Sequence, residues 1–506
     1  MEELKSLVRT VNRNKIKEVE VIGKNRTSES LLDKFYDGIS KDKFENDDQA
    51  AKLLFQNEKN RTEYYNRLKR QLKDRLYNTL FLIDNNTPGY SNLQKAYYSC
   101  YKNASAVRIL IGKNNRQGAI PLAIKTLKIA QKYEFTDIIL SLAKELRLHY
   151  GMLIGDKKKF DYYRKIVTKY TEIYIGELKA EEYYSAINVH FVNSTANKKE
   201  VISYAEMLSE ELLEKSKEIS SYWFNFFTFL TLITRYEIAN DFKNLLATSN
   251  KAVKYFESKK HLASNRTFFI FQIKTLGGHI KLGQYEEGLI KTKDCIRLTP
   301  AGSVNWFTSL HYLMILSYHS QDLEQAYSSY IEASSHPNFK IYFSNLAEQW
   351  RIHQAFLYYF ILSKNPKQKK AEGLGKFRIA KFLNEVPVNS KDKRGNNITI
   401  IILQILFLLQ QKKYGAIIDK MESLQTYTHR YLRQDDTFRS NCFIKMLLCL
   451  PAASFHKKGV LRKADKYWKK LQSVPLEKAN QSAEMEIVPY EMLWEFVLEG
   501  LDEKWH

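Results

Sequence analysis

Four cations stand at intervals of four in this chain: Lys458, Arg462, Lys466 and Lys470. On a helix that spacing stacks them along one ridge, and a ladder of like charges costs roughly 0.2–0.5 kcal/mol per adjacent pair in an isolated helix. Ammonium and guanidinium groups in a row offer one chemistry, the neutralisation of an anionic surface. Phosphates of a nucleic acid would suit, with a salt-dependent affinity. So would carboxylates of an acidic protein segment, or acidic side chains on a neighbouring helix of the same fold; simple tolerance of the repulsion is the remaining reading. A second basic stretch, residues 59–75, holds seven basic and two acidic side chains, with Arg67, Lys69, Arg70 and Lys73 mostly off its apolar face.

Catalytic chemistry finds no such pattern. The eleven histidines are scattered, with no HExxH motif and no paired facial arrangement, so no metal site is expected. His311 and His319 lie eight apart on one face and read as hydrogen-bonded packing residues. There is no phosphate-binding GxxxxGK[ST] loop and no GxSxG elbow. The adjacent carboxylates Asp47 with Asp48, and Asp435 with Asp436, suit helix capping better than acid–base work, because neighbours in sequence point apart on a helix. Gly373 and Gly375 follow no strand, so a nucleotide loop is not indicated. Cys100, Cys295, Cys442 and Cys449 form neither a CxxC pair nor a zinc knuckle, and read as buried thiols in a reducing cytosol. The chain is therefore expected to be no enzyme, to need no cofactor and to work in the cytoplasm.

The elements that position the ridge are expected to be helices throughout. The 506 residues are 44% hydrophobic and 27% charged, enough apolar matter for a continuous core. Only 19 glycines and 9 prolines are present, about half the usual share, and turn-rich β architectures need more of both. The 79 basic and 56 acidic residues leave a net charge of +23, which favours contact with polyanions and says nothing about fold. The first residues hold no apolar run of signal-peptide length, so secretion is not expected. The greasiest run, Ile398 to Leu409, is twelve residues interrupted by Gln404, whereas a spanning helix needs about 20. It predicts a buried core helix, as does Tyr222 to Thr234, and no membrane partner is expected.

From residue 90 onward apolar residues recur at three- and four-residue spacing, broken every 15 to 20 residues by a short polar turn, which predicts helical hairpins in series. In the clearest pair a first helix ends at Gly283, a second starts at Tyr285, and Pro300 stops it. Gly283, Tyr285, Gly288, Cys295 and Pro300, followed by Leu313, Asp322, Leu323, Ala326, Tyr330 and Ala333, resemble the tetratricopeptide repeat. Gln321 departs from the small residue expected in its turn. Weaker copies surround Asn240 to Ala252, Gly155 with Asp156, and Lys413 with Tyr414. The resemblance implies an all-α fold, an α-solenoid of antiparallel helical hairpins (a TPR-like superhelix) over residues 91–363. An N-terminal helical module is expected at 1–90, with Asn46 or Asp47 capping one helix and Thr62 the next in a helix-turn-helix outline. A basic linker at 364–397, with Lys367, Lys369, Lys370, Lys391, Lys393 and Arg394, leads to a C-terminal helical module at 398–506. There Asp435 or Asp436 would cap a helix closed by Pro451, and the acidic tail would form a capping or docking helix.

Such a stack leaves a wall of first helices, and the resemblance implies a scaffold or adaptor that holds a protein or peptide partner there, its basic ridges favouring an acidic one. The groove floor would be built from exposed first-helix side chains such as His279, Asn305, Trp306 and Tyr312, with Trp306 also standing where a packing tryptophan belongs. The alternative is a nucleic-acid-associated or regulatory protein that uses the basic helices at 59–75 and 456–470.

Overall fold

The computed structural model describes residues 1, 4–5, 8, 30–56, 60–83, 90–192, 198–364, 374–375, 377–384, 396–421, 437–479 and 486–501. Among them every regular element is helical and no strand forms. None of these helices is long and apolar enough to cross a membrane. The chain divides into two compact units, Met1–Tyr174 and Ile175–His506.

Unit 1 begins with α1 (Leu31–Ser40), α2 (Asp47–Leu54) and α3 (Arg61–Leu80). Phe35, Tyr65, Leu72 and Leu76 bury a shared apolar cluster between them. Asn46 caps α2, its side chain accepting from the Gln49 amide at 2.9 Å. Thr62 does not cap α3: the helix starts two residues earlier than that cap would place it, after Asn60, which makes no side-chain cap. Next come α4 (Asn92–Gly112), α5 (Arg116–Lys132), α6 (Thr136–Leu148), a π-helical turn (His149–Ile154) and α7 (Lys157–Val192), inside which the division falls. A second cluster, including Ile139, Leu142 and Leu146, packs this group.

Unit 2 continues with α8 (Lys198–Lys215), α9 (Tyr222–Ala239), α10 (Phe242–Ser258), α11 (Asn265–Lys281), α12 (Tyr285–Arg297), α13 (Val304–His319), α14 (Leu323–Ser335) and α15 (Phe339–Lys364). Each packs on the next in sequence, and α11 also touches α13, as α13 touches α15. The remainder is α16 (Ile379–Asn384), α17 (Asn396–Gln410), α18 (414–421), α19 (Phe438–Leu447), α20 (Cys449–Ala452), α21 (Lys457–Ser473) and α22 (Tyr490–Glu499).

One turn recurs between successive helices of both units. A left-handed residue is followed at once by the start of the next helix at Asn114, Glu134, Asn240, Gly283, Gln321 and Lys412. In each case the following amide donates to the carbonyl five residues back, as Gln284 does to His279 at 2.9 Å and Asp322 to Ser317 at 2.8 Å, closing a Schellman motif. Asp241 and Asp322 then accept from amides of the helix they start, at 3.1 and 2.9 Å. Glycine at the left-handed position avoids the strain between a Cβ and its own backbone; at Gly283 that backbone conformation is the constraint, since an added Cβ would meet no neighbour within 4 Å. Gln321 holds φ +61 with a side chain. Gln321→Gly is therefore expected to raise stability by about 0.5–1 kcal/mol, read as a higher urea midpoint at unchanged m.

The C-terminal part does not build a core of its own. One apolar cluster runs from Ile280 through Phe307, Phe356 and Phe407 to Leu501, so α17 to α22 share a core with α13 and α15. The α17 run is buried as its composition requires, and the interrupting Gln404 is satisfied, donating to the Phe382 carbonyl at 2.8 Å and accepting from Lys420 at 2.8 Å. Part of the stretch read as a linker is packed as well. Leu374 and Phe382 are buried, and the Leu374 carbonyl accepts from Gln354 at 2.6 Å. Lys367, Lys369, Lys370, Lys391, Lys393, Arg394 and Gly373 lie outside the described residues, as do Asp435 and Asp436. Pro451 sits inside α20, after α19 has already ended at Leu447.

Candidate functional site

The ridge is built on α21. His456 caps the helix, its Nδ1 accepting from the Gly459 amide at 3.4 Å. Val460, Ala464 and Leu471 turn inward and are buried, and the helix lies against α19 and α20. This burial fixes the opposite face outward: Lys458, Arg462, Lys466 and Lys470 are all exposed. At a rise of about 1.5 Å per residue the four charges extend over roughly 18 Å. Neighbouring cations are internally used. Lys469 pairs with Asp465 at 2.8 Å, and Lys463 donates to the Ala452 carbonyl. Lys466 lies 4.7 Å over the Tyr467 ring, a contact that leaves its charge without a counter-ion. None of the four ridge cations has an ion pair among the described residues, and no described neighbouring helix supplies an acidic partner to them.

The far end of α21 is held by a buried charge cluster. Arg439 on α19 is 2% exposed, and all five of its N–H donors are used. Nη1 donates to the Leu471 and Val474 carbonyls at 3.2 and 2.9 Å, so the guanidinium caps the C-terminus of the ridge helix, where a cation is favoured. Nε and Nη2 form a two-pronged pair with Glu486, both at 2.8 Å, and Nη2 reaches Glu491 at 2.8 Å. Burial works against the charged guanidinium, but the hydrogen bonds and charge of Glu486, then Glu491, more than restore it and raise its pKa. The Glu486 carbonyl accepts from His319 Nε2 on α13 at 2.8 Å, taking the histidine as donor there. Buried Lys281, at the end of α11, donates to the Leu476 and Ala479 carbonyls at 2.9 and 2.8 Å. The segment after α21 is thus clasped to the C-terminal ends of α11 and α13.

No family model, curated protein or solved structure matches the chain.

The second basic stretch fares differently from the ridge. Arg67 and Arg70 on α3 are exposed, and Lys73 is half-buried. Lys69 is withdrawn from any partner: it binds Asp47 at 2.8 Å, and the same carboxylate accepts from Tyr65 Oη at 2.6 Å. Burial alone would raise the Asp47 pKa, but the hydrogen bonds from Lys69 and Tyr65 hold it well below the usual carboxylate range. The apolar face predicted for α3 is in place, with Tyr65, Leu68, Leu72, Leu76 and Thr79 buried. Residues 57–59 of the helix-turn-helix outline lie outside the described residues.

The residues expected on a groove floor do not come together on an open surface. Asn305 is exposed and Tyr312 half-buried. His279 is buried, its Nδ1 3.1 Å from Gln284 Oε1, and Trp306 is buried against Phe307 and His336 with ring centroids at 5.0 and 5.5 Å. The reason is helical phase: both side chains project to the inter-helix side of α11 and α13, where packing wins. His311 and His319 also part company. His311 Nδ1 shares a hydrogen bond with His353 Nε2 at 2.8 Å in the core, while His319 serves Glu486. All four cysteines are buried, and burial pushes the thiols of Cys100 and Cys295 up to about 11 and about 12, far from thiolate chemistry.

Proposed function

We propose that the chain is a non-enzymatic interaction scaffold of the cytoplasm, a degenerate tetratricopeptide-like stack of helical hairpins whose C-terminal ridge grips an acidic segment of a protein partner. The observation that carries this reading is the row Lys458, Arg462, Lys466 and Lys470, exposed and without a counter-ion among the described residues over roughly 18 Å of packed helix. Carboxylates spaced at one helical turn on a partner would meet these cations one for one and speed encounter. The hairpin reading rests on sequential packing, on contacts between alternate helices and on the repeated left-handed turn. A nucleic acid is the second reading, favoured by half-buried Tyr467 and Trp468 beside the ridge, since bases stack on such rings.

Heparin retention tests the ridge. The protein is expected to elute within about 50–200 mM salt, where a handful of anion contacts loses orders of magnitude in affinity. Changing Lys458, Arg462, Lys466 and Lys470 together to Glu is expected to abolish retention with helicity intact; unchanged retention rejects the ridge as the contact.

A further inference from the structure

A different surface, in unit 1, has the makings of a membrane contact. The π-helical turn His149–Ile154 is reversed by Gly155 at φ +73 and presents three consecutive apolar side chains outward. Met152, Leu153 and Ile154 are 78%, 57% and 59% exposed, with Leu148 at 47% just before them. Single π-turns in helices are frequently found at functional sites. The turn is firmly built from beneath. Tyr150 is buried and stacks on Tyr163 at 5.7 Å, and Phe160 packs so close under Gly151 that a Cβ there would fall 2.7 Å from its ring. The apolar tip is thus displayed by a rigid base.

Cations surround it. Lys157, Lys158 and Lys159 follow the turn directly and are all exposed. Arg147 and Lys157 line an open cavity of about 610 Å³ together with Leu148, Gly151, Met152 and Phe160. The one acid there, Asp156, is engaged by the Lys159 amide at 3.0 Å and by its ammonium at 3.5 Å. Residues 91–174 carry sixteen basic and six acidic side chains, net +10, against +23 for all 506 residues. Exposed Tyr162 adds an amphipathic ring of the kind found at bilayer interfaces.

We infer that this turn docks unit 1 on an anionic bilayer surface, with Met152, Leu153 and Ile154 entering the acyl boundary and Arg147 and Lys157 to Lys159 meeting lipid phosphates and carboxylates. Surface docking needs no spanning helix, only apolar area together with positive charge. An apolar partner peptide would use the same side chains, but an exposed apolar triplet followed directly by three exposed lysines fits a fluid, negatively charged surface better.

Co-sedimentation of the full chain with vesicles tests the inference. Phosphatidylcholine vesicles containing about 30% phosphatidylserine are expected to pull the protein down at about 0.15 M salt, and pure phosphatidylcholine vesicles far less. The variant Met152→Asp, Leu153→Asp, Ile154→Asp is expected to lower partitioning at least about tenfold while the helical circular dichroism signal is retained. Charge reversal of Lys157, Lys158 and Lys159 to Glu is expected to weaken it similarly, whereas reversal of the α21 ridge leaves it close to the unaltered chain. Should the apolar triple variant fail to fold, the single change Met152→Asp at the most exposed site gives the same comparison. No sedimentation with anionic vesicles overturns the inference and leaves the turn to a protein partner. Equal sedimentation of the apolar variant overturns it too, since general basicity then explains the binding.

Discussion

Replacing Arg439 by Met is expected to lower the stability of unit 2 by about 3–5 kcal/mol, the loss typical when one partner of a buried ion pair is removed. Glu486, 1% exposed, would keep a carboxylate in the core with neither water nor guanidinium to solvate it. Two carbonyls at the end of α21 would also lose their donor. The measurement is urea unfolding followed by tryptophan fluorescence. All six tryptophans, Trp223, Trp306, Trp350, Trp468, Trp494 and Trp505, belong to unit 2, so the signal ignores unit 1. A companion variant carrying Arg439→Met, Glu486→Met and Glu491→Leu should recover much of the loss, because apolar replacement of a whole buried charge cluster is often neutral or stabilising. A change below about 1 kcal/mol for Arg439→Met alone would mean that the cluster is solvated in solution.

Acidification is expected to have a comparable effect through neutral buried histidines. Burial is the main force lowering the pKa values of His279, His319 and His353; for His319 the Glu486 carbonyl partly opposes it, and for His353 the His311 ring adds to it. Each folded-state value lies below the unfolded 6.5, so between the two the unfolded chain binds the extra proton. The stabilisation is therefore fully present above about pH 6.5 and is lost as pH falls toward the folded values. One such histidine gives a slope of up to about 1.4 kcal/mol per pH unit, and three acting together up to about 4. Urea midpoints at pH 7.5 and 5.5 read this directly, ahead of most carboxylate titration. His353→Gln is expected to remove about one histidine's share of the slope; a midpoint that stays flat between those pH values would contradict the buried neutral assignment.

The helices were legible because their signals are local. Apolar spacing marked them, and Asn46 stood where an oxygen is needed for orphan amides; the same role of Asp241 and Asp322 emerges only in the structure. The departure at Gln321 was visible too, and the structure gives its meaning as a side chain held in a left-handed turn. The ridge was legible for the same reason, since a four-residue interval is a statement about one helix. What sequence could not yield is pairing across distance. Arg439 meets partners 47 and 52 residues away, and nothing in its own window distinguishes it from a surface arginine. Lys69 and His279 show the opposite error, each promising an open contact from local pattern and being claimed by Asp47 and by the core. The π-turn left only Gly155 and Asp156 as a faint trace, because its outward Met152, Leu153 and Ile154 look like ordinary core residues in a string of letters.

The ridge on α21 is tested by the salt dependence of binding between the full chain and a labelled oligoglutamate helix, read by fluorescence anisotropy beside a single-stranded oligonucleotide. The peptide is expected to bind at about 50 mM salt, to weaken steeply toward 200 mM, and not to bind the variant with all four ridge cations changed to Glu. For the oligonucleotide, losing four phosphate contacts would flatten the log–log slope by about 3, and tighter binding there than to the peptide would favour the nucleic-acid reading. A charge-reversed variant that binds the acidic peptide as well as the unaltered chain, with its urea midpoint unchanged, would contradict the claim that α21 is the contact.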